Sequence, residues 1–293
     1  MATELLCLQG LQADDINLAA SDYLHHSLSL PALAGFVHRL ERSLNSLGGE
    51  YSTADTRFMV IVRQCSASHG FPRGVTSDYG SATKAAAPRL MYQYQGRATV
   101  DLLIRFQVDG FAAGLDELLD PDALSIELAG MHLCGGTLAA VAPEQISILC
   151  KAEQQQRHLQ NLSVDGYLLE DMSPLLATEP ATLTDQTEQA ETDRLQRLLT
   201  LTARPRDGSR TEHGYLVPAA IGYRLLEPPQ PRYQRNAAEQ YHHAFAEPML
   251  GLVRLRSCAS YRRQHRNEPI ASWWGYRQQG NALYLAADAQ ADH

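Results

Sequence analysis

LPALAGFVHRLERSLNSLGG, residues 30–49, is the stretch on which the fold turns. Pro31 stands where the first turn of a helix tolerates it, Leu33, Phe36, Val37, Leu40 and Leu44 recur at three- and four-residue steps, and Gly48 and Gly49 stop the pattern. Strands are expected on both sides of this helix. Upstream, ELLCLQGL (Glu4–Leu11) is an apolar run of strand length that ends in the polar stretch Gln12–Asn17. Downstream come RFMVIVRQC (Arg57–Cys65) and ATVDLLIRFQV (Ala98–Val108). Between these two, Ser66–Pro88 holds glycine, proline, serine and threonine without a period and is expected to protrude as a loop or hairpin. Strand, helix, strand, excursion, strand is the opening of an α+β, ferredoxin-like or RRM-like sandwich, with helices on one sheet face and the other face free to meet RNA.

The rest of the chain is read outward from this core. LSIELAGMHLCGGTLAAV (Leu124–Val141) reads as a further strand interrupted by Gly135 and Gly136, which mark a bulge, a close backbone approach or a simple turn. Gln154–Leu162 has the pattern of a polar helix. Leu176–Asp193 is acidic and threonine-rich, an exposed linker or insertion, and RLQRLLTL after it is helical. GYLVPAAIGYRLL (Gly214–Leu226) reads as strand and turn, AEPMLGLVRLRS (Ala246–Ser257) as helix or strand, and WWGYRQQGNALYLAA (Trp273–Ala287) as a closing strand with one of its two tryptophans buried. The expected division is a core over residues 1–177 with a thumb-like excursion at 66–88, an acidic linker at 178–193, and a β-rich C-terminal extension over 194–293 that packs on the core.

The 293 residues are 44% hydrophobic and 20% charged, the composition of a folding globular chain. The start MATELLCLQGLQADD has neither the basic region of a signal peptide nor a membrane-length apolar run, so a cytoplasmic protein without membrane contact is expected. Cys7, Cys65, Cys134, Cys150 and Cys258 form no CxxC pair, and Cys65 with His69 lacks the further ligands a metal site needs; no metal or cofactor is expected. The net charge of −8 is unevenly spread. Residues 109–193 carry sixteen acids against Lys151 and Arg157, whereas residues 194–277 carry fourteen arginines against six acids. A phosphate backbone needs only a local positive groove, so the overall sign does not exclude nucleic acid.

Phosphate-binding GxxxxGK[ST], dinucleotide-binding GxGxxG, HExxH and GxSxG patterns are all missing. Tyr23, His25 and His26 are the nearest candidates for general acid–base work on RNA. The excursion mixes cations with aromatics at His69, Phe71, Arg73, Lys84 and Arg89, the combination that neutralises phosphates and stacks unpaired bases. Arg254, Arg256, Arg262 and Arg263 form a second basic set, suited to RNA or to an acidic protein face.

An ordered set of segments resembles one family, the second subunit of the type I-F CRISPR (Csy) complex, in the Cas-five group of RAMP proteins. The segments are Asn17–Pro31 with GFVHRLER (Gly35–Arg42), GRATVDLLIRF (Gly96–Phe106), MHLCGGTL (Met131–Leu138), Arg157–Leu176, GYLVPAAIGYRLL and SWWGYRQQGNALYL (Ser272–Leu285). This resemblance implies an RRM-like RAMP fold with a thumb at Ser66–Pro88 and a non-catalytic role in holding the 5′ handle of the guide RNA (crRNA). It implies RNA contacts at Asn17, Ser21, His25, His26, Arg39, Gly135 and Gly136 beside the basic residues above. The implied partners are a large Cascade subunit in a heterodimer and a backbone Cascade subunit; target double-stranded DNA is a further candidate. Two alternatives stay open: a metal-independent guide-processing endoribonuclease of the same fold, and a protein-interaction scaffold without RNA contact.

Overall fold

The apolar residues of the first strand fall at positions 6, 8, 11, 13, 16 and 18, steps of two broken twice by a step of three. Strict alternation would turn every residue after the first three-step to the opposite face. The chain corrects this with two bulges. In the computed structural model, β1 runs from Ala2 to Asn17, and between Leu8 and Leu11, and again between Ala13 and Ile16, three of its residues face two on the partner strand. Gly10 and Asp15 take the positive φ (63° and 56°) that such kinks use. Leu6, Leu8, Leu11, Ala13 and Ile16 therefore stay in one core.

The structure describes residues 2–21, 23–68, 73–75, 89–91, 94–108, 114–177, 187–203, 213–231, 242–264 and 272–288. α1 (Leu30–Ser46) is capped by the Ser29 hydroxyl, which accepts from the Ala32 N–H at 3.3 Å, and it buries Leu33, Phe36, Val37, Leu40 and Leu44. β2 (Arg57–Ala67) and β3 (Gln95–Val108) follow, paired antiparallel. Then come α2 (Leu115–Leu118) and α3 (Pro121–Ala129). α3 corrects the expectation of a strand from Leu124: Asp120 and Pro121 start a helix, and Leu124 and Leu128, one turn apart, are the buried pair. A short hairpin of β4 (His132–Leu133) and β5 (Gly136–Leu138) and then β6 (Ile146–Leu149) share the free edge of β1, so the order across the sheet is β6–β1–β3–β2, antiparallel throughout.

α4 (Ala152–Gln160) leads to β7 (Tyr167–Asp171), and α5 (Thr187–Thr202) begins inside the stretch read as linker. Next are β8 (Leu216–Leu225), β9 (Ala246–Ser257), which is a strand, α6 (Cys258–Gln264), and a hairpin of β10 (Trp274–Gln279) and β11 (Ala282–Ala287) where one closing strand was expected. β7 pairs with both β2 and β9, β8 joins β9 to β11, and β10 returns to β2 through Trp274 and Phe58. β2, β7, β9, β8, β11 and β10 thus close a ring, with β2 common to the ring and to the four-strand sheet.

The second face of that sheet is not free over its whole length. Leu5, Cys7, Met59, Ile61 and Leu103 point away from α1 and are buried against Leu162, Leu168, Cys258, Tyr261 and Trp273. Burying a large apolar side chain is worth about 1.5–3 kcal/mol, so leaving this set in water would cost more than a cover of α4, α6 and the Trp273 loop. The open-face expectation therefore holds only for the other half. Both tryptophans are buried, because neighbours in extended chain point to opposite faces and here both faces are cores: Trp274 on the α1 side, with its indole N–H donated to the Leu169 carbonyl at 3.0 Å, and Trp273 on the other.

Candidate nucleic-acid interface

β1 ends, β2 departs and β3 returns at one end of the sheet. The excursion springs from there: Arg73–Val75 pairs antiparallel with Arg89–Met91, an arm whose ladder carries Arg73 and Arg89. His69, Phe71 and Lys84 lie outside the described residues.

The loop after β1 folds back over the root of this arm. Asn17 donates its N–H to the Cys134 carbonyl (2.9 Å), its side-chain oxygen accepts from Ala19 N–H (2.9 Å), and Leu18 N–H donates to the Tyr94 carbonyl (2.7 Å). The Ser21 hydroxyl accepts from the N–H groups of Tyr23 and Leu24, closing a turn between two short strands, Ala19–Ser21 and Leu24–His25. This places His25 face to face with Tyr94, ring centres 4.0 Å apart and planes 18° apart, while His26 meets the same ring edge-on at 5.4 Å. His26 itself has a φ of 61°. His25, His26 and Asn17 are all exposed, and Tyr23 is 76% exposed. Tyr94 escaped the sequence reading; its signal was an aromatic residue at the foot of a strand, beside a loop without periodicity.

Gly135 and Gly136 play different parts. Cys134 and Gly135, with φ of 49° and 78°, are the two central residues of the β4–β5 hairpin turn, a pairing of positive φ that favours glycine. A Cβ at Gly135 would meet open space, whereas one at Gly136 would collide with the Asp14 carbonyl and Ile16. Gly136 is required by its own neighbour strand. The turn stands beside Asn17, so Asn17, Ser21, His25, His26 and Gly135 share one end of the sheet with Tyr94 and the arm.

From this end the uncovered half of the second face continues as a polar strip. Gln12, Thr99 and Gln64 lie opposite one another across β1, β3 and β2, and exposed Arg97 pairs with Asp14. Deeper, buried Asp101 accepts from the Gly10 N–H at 2.6 Å and from Arg63 Nε at 2.9 Å, which fixes the first bulge and holds Arg63 at the border of the covered half. Burial there lowers the pKa of His158, against the opposing pull of Asp101, and its ring nitrogen sits 3.4 Å from the Gln9 amide.

The remaining candidates sit elsewhere. Arg39 is on the solvent side of α1, about 15 Å along the helix from Ser29. Arg254 and Arg256 both bind Glu170, through Nε at 2.5 and 3.0 Å; Arg262 donates to the Leu162 carbonyl and exposed Arg263 to the Ala259 carbonyl, on the outer side of α6. Glu4, Asp116 and Cys150 bring one potential metal ligand each within 4.8 Å of the others. The Glu4 carboxylate, however, accepts the Leu115 N–H at 2.8 Å, and burial pushes the Cys150 thiol up to about 12, away from the thiolate a metal takes. Among the described residues no helix is long and apolar enough to cross a membrane.

Fold and site together define an α+β protein built on one large antiparallel sheet, with a polar and aromatic surface gathered at a single sheet end. Residues 6–286 match the model of a family described as CRISPR-associated protein (Cas_Csy2). The chain belongs to that family, the second subunit of the type I-F Csy complex. A search of curated proteins found no match to the chain.

Proposed function

We propose that this subunit holds the 5′ handle of the guide RNA, without cutting it, at the arm-root end of the sheet. The observation that carries the reading is the convergence of Asn17, Ser21, His25, His26, Gly135 and Tyr94 at the root of a two-stranded arm. The strand order β6–β1–β3–β2, with α1 joining the first two strands and α2–α3 the last two, agrees with a ferredoxin-like RAMP fold. RNA in this account crosses the end of the sheet and the polar strip of Gln12, Gln64, Arg97 and Thr99. The aromatic face of His25 or Tyr94 takes an unstacked base, and Arg97 exchanges Asp14 for phosphate. An apolar hollow of about 230 Å³ beneath His26 and Ser27, lined by Leu28, Leu30, Val62, Tyr167 and Leu255, lies next to that path and suits a splayed base. Residues 1–177 then form the clamp, 178–193 an acidic connection, and 194–293 the brace, with the large and backbone Cascade subunits as neighbours and target double-stranded DNA as a further ligand.

The test is fluorescence anisotropy of labelled handle RNA with the full chain over a salt series. The account expects affinity that falls steeply with salt. Tyr94→Ala should weaken binding roughly 5- to 100-fold, the equivalent of one lost base stack, with the RNA intact throughout. No binding at low salt would leave the scaffold reading; cleavage abolished by His25→Ala or His26→Ala would establish the endoribonuclease reading instead.

A further inference from the structure

At the far end of β2 and β3, about 30 Å from the arm, three guanidinium groups converge on one carboxylate. Arg57 and Arg105 are directly opposed across the two strands, on the face that carries Met59 and Leu103, where two like charges repel. Arg277 joins them from β10. Asp288, one residue past β11, accepts at Oδ1 from Arg57 Nε (3.1 Å) and Arg277 Nη2 (2.6 Å), and at Oδ2 from Arg105 Nη2 (2.9 Å). The forks are held in place from behind. Arg57 Nη1 donates to the carbonyls of Ala54 (2.6 Å) and Thr56 (3.0 Å), Arg277 Nη1 to that of Tyr276 (3.2 Å), and the Arg105 guanidinium lies 4.8 Å from the centre of the Trp273 ring. Gly275 leaves the space the Arg57 side chain needs, since a Cβ there would come within 2.5 Å of its Cδ.

Among the described residues no second carboxylate forms an ion pair with any of the three arginines. Three cations against one anion leave a local excess of two positive charges. The arginine side chains are 13%, 28% and 36% exposed and Asp288 is 37% exposed, so the cluster is open to solutes. A planar carboxylate offers two oxygens to donors arriving from three directions; a tetrahedral phosphate offers more oxygens and at least as much charge.

We propose that Arg57, Arg105 and Arg277 form a phosphate-binding site in which Asp288 holds the place of the anion. Phosphate enters as Asp288 swings out, and the exchange leaves the sheet intact because Ala287 is pinned separately, its N–H donated to Asp171 Oδ2 at 3.0 Å. The phosphate is either a free oxyanion or one of a nucleic-acid backbone. The site goes beyond the handle-binding reading and stands or falls without it.

The test uses the full chain and its Asp288→Asn variant in thermal unfolding, with inorganic phosphate, a short single-stranded oligonucleotide or poly-glutamate added at matched ionic strength. Asp288→Asn should melt about 2–4 °C lower, and phosphate should restore the loss saturably where chloride does not. Arg105→Gln in addition should abolish the restoration. Restoration by both phosphate and oligonucleotide marks a general phosphate site, by the oligonucleotide alone a backbone site. No restoration, restoration by chloride alike, or a stronger effect of poly-glutamate than of either phosphate source would overturn the proposal, the last in favour of an acidic protein segment. Should Asp288→Asn fail to fold, tryptophan fluorescence of the unsubstituted chain decides: a saturable change with phosphate, lost in Arg105→Gln, supports the site, and no change refutes it.

Discussion

Asp288 shows how one residue joins distant parts of the chain. Burial alone would raise its pKa, but hydrogen bonds from Arg277 and Arg57 and the charges of Arg57 and Arg105 outweigh it and hold the carboxyl below the usual range. A carboxylate with a depressed folded-state pKa contributes stability that is complete above its unfolded value, near 3.9, and is lost as pH falls through the folded one. Acid titration followed by circular dichroism should accordingly find Asp288→Asn less stable than the unsubstituted chain at pH 7, with the gap closing below about pH 4. Glu170 is the second such residue. Removing its charge by Glu170→Gln leaves Arg254 and Arg256 facing each other with no carboxylate between them, at a cost of about 2 kcal/mol in urea unfolding. Neither pairing was visible in the sequence, where these arginines read as free cations, because both depend on strands brought together from far along the chain.

Element by element, legibility followed the regularity of the pattern. α1 was readable because its stripe, its proline and its terminal glycines agree. β1 was read only to Leu11, since the two three-residue steps break the alternation that identifies a strand. α3 was misread because Leu124, Ile126 and Leu128 imitate a strand's period of two; Ile126 in fact stands 77% exposed while its neighbours are buried. The two adjacent glycines looked equivalent in sequence and are not. Gly136→Ala should cost about 3 kcal/mol, through the clash with β1, and Gly135→Ala only about 1 kcal/mol, the penalty of an L-residue in a left-handed turn. Equal losses in thermal unfolding would mean the close approach of β5 and β1 is not what Gly136 serves.

For the whole molecule, the order of the first four sheet strands could be inferred from local patterns, but the ring could not. Its closure depends on β7 pairing with β2 as well as β9, and on a C-terminal hairpin returning to Phe58. That closure, with α4 and α6, covers half of the face on which RNA was expected and moves the proposed path to the arm-root end. The site was legible in part: Asn17, Ser21, His25, His26 and Gly135 were picked out and do lie together, whereas Tyr94, Arg97 and Thr99 carried no motif and became candidates only through register.

Photocrosslinking decides where the RNA runs. With 4-thiouridine placed in the handle of a guide-loaded complex, the account predicts crosslinks in peptides spanning residues 17–28 and 94–99. Crosslinks confined to the outer side of α6 at Arg262 and Arg263, with none at the arm root, would contradict it.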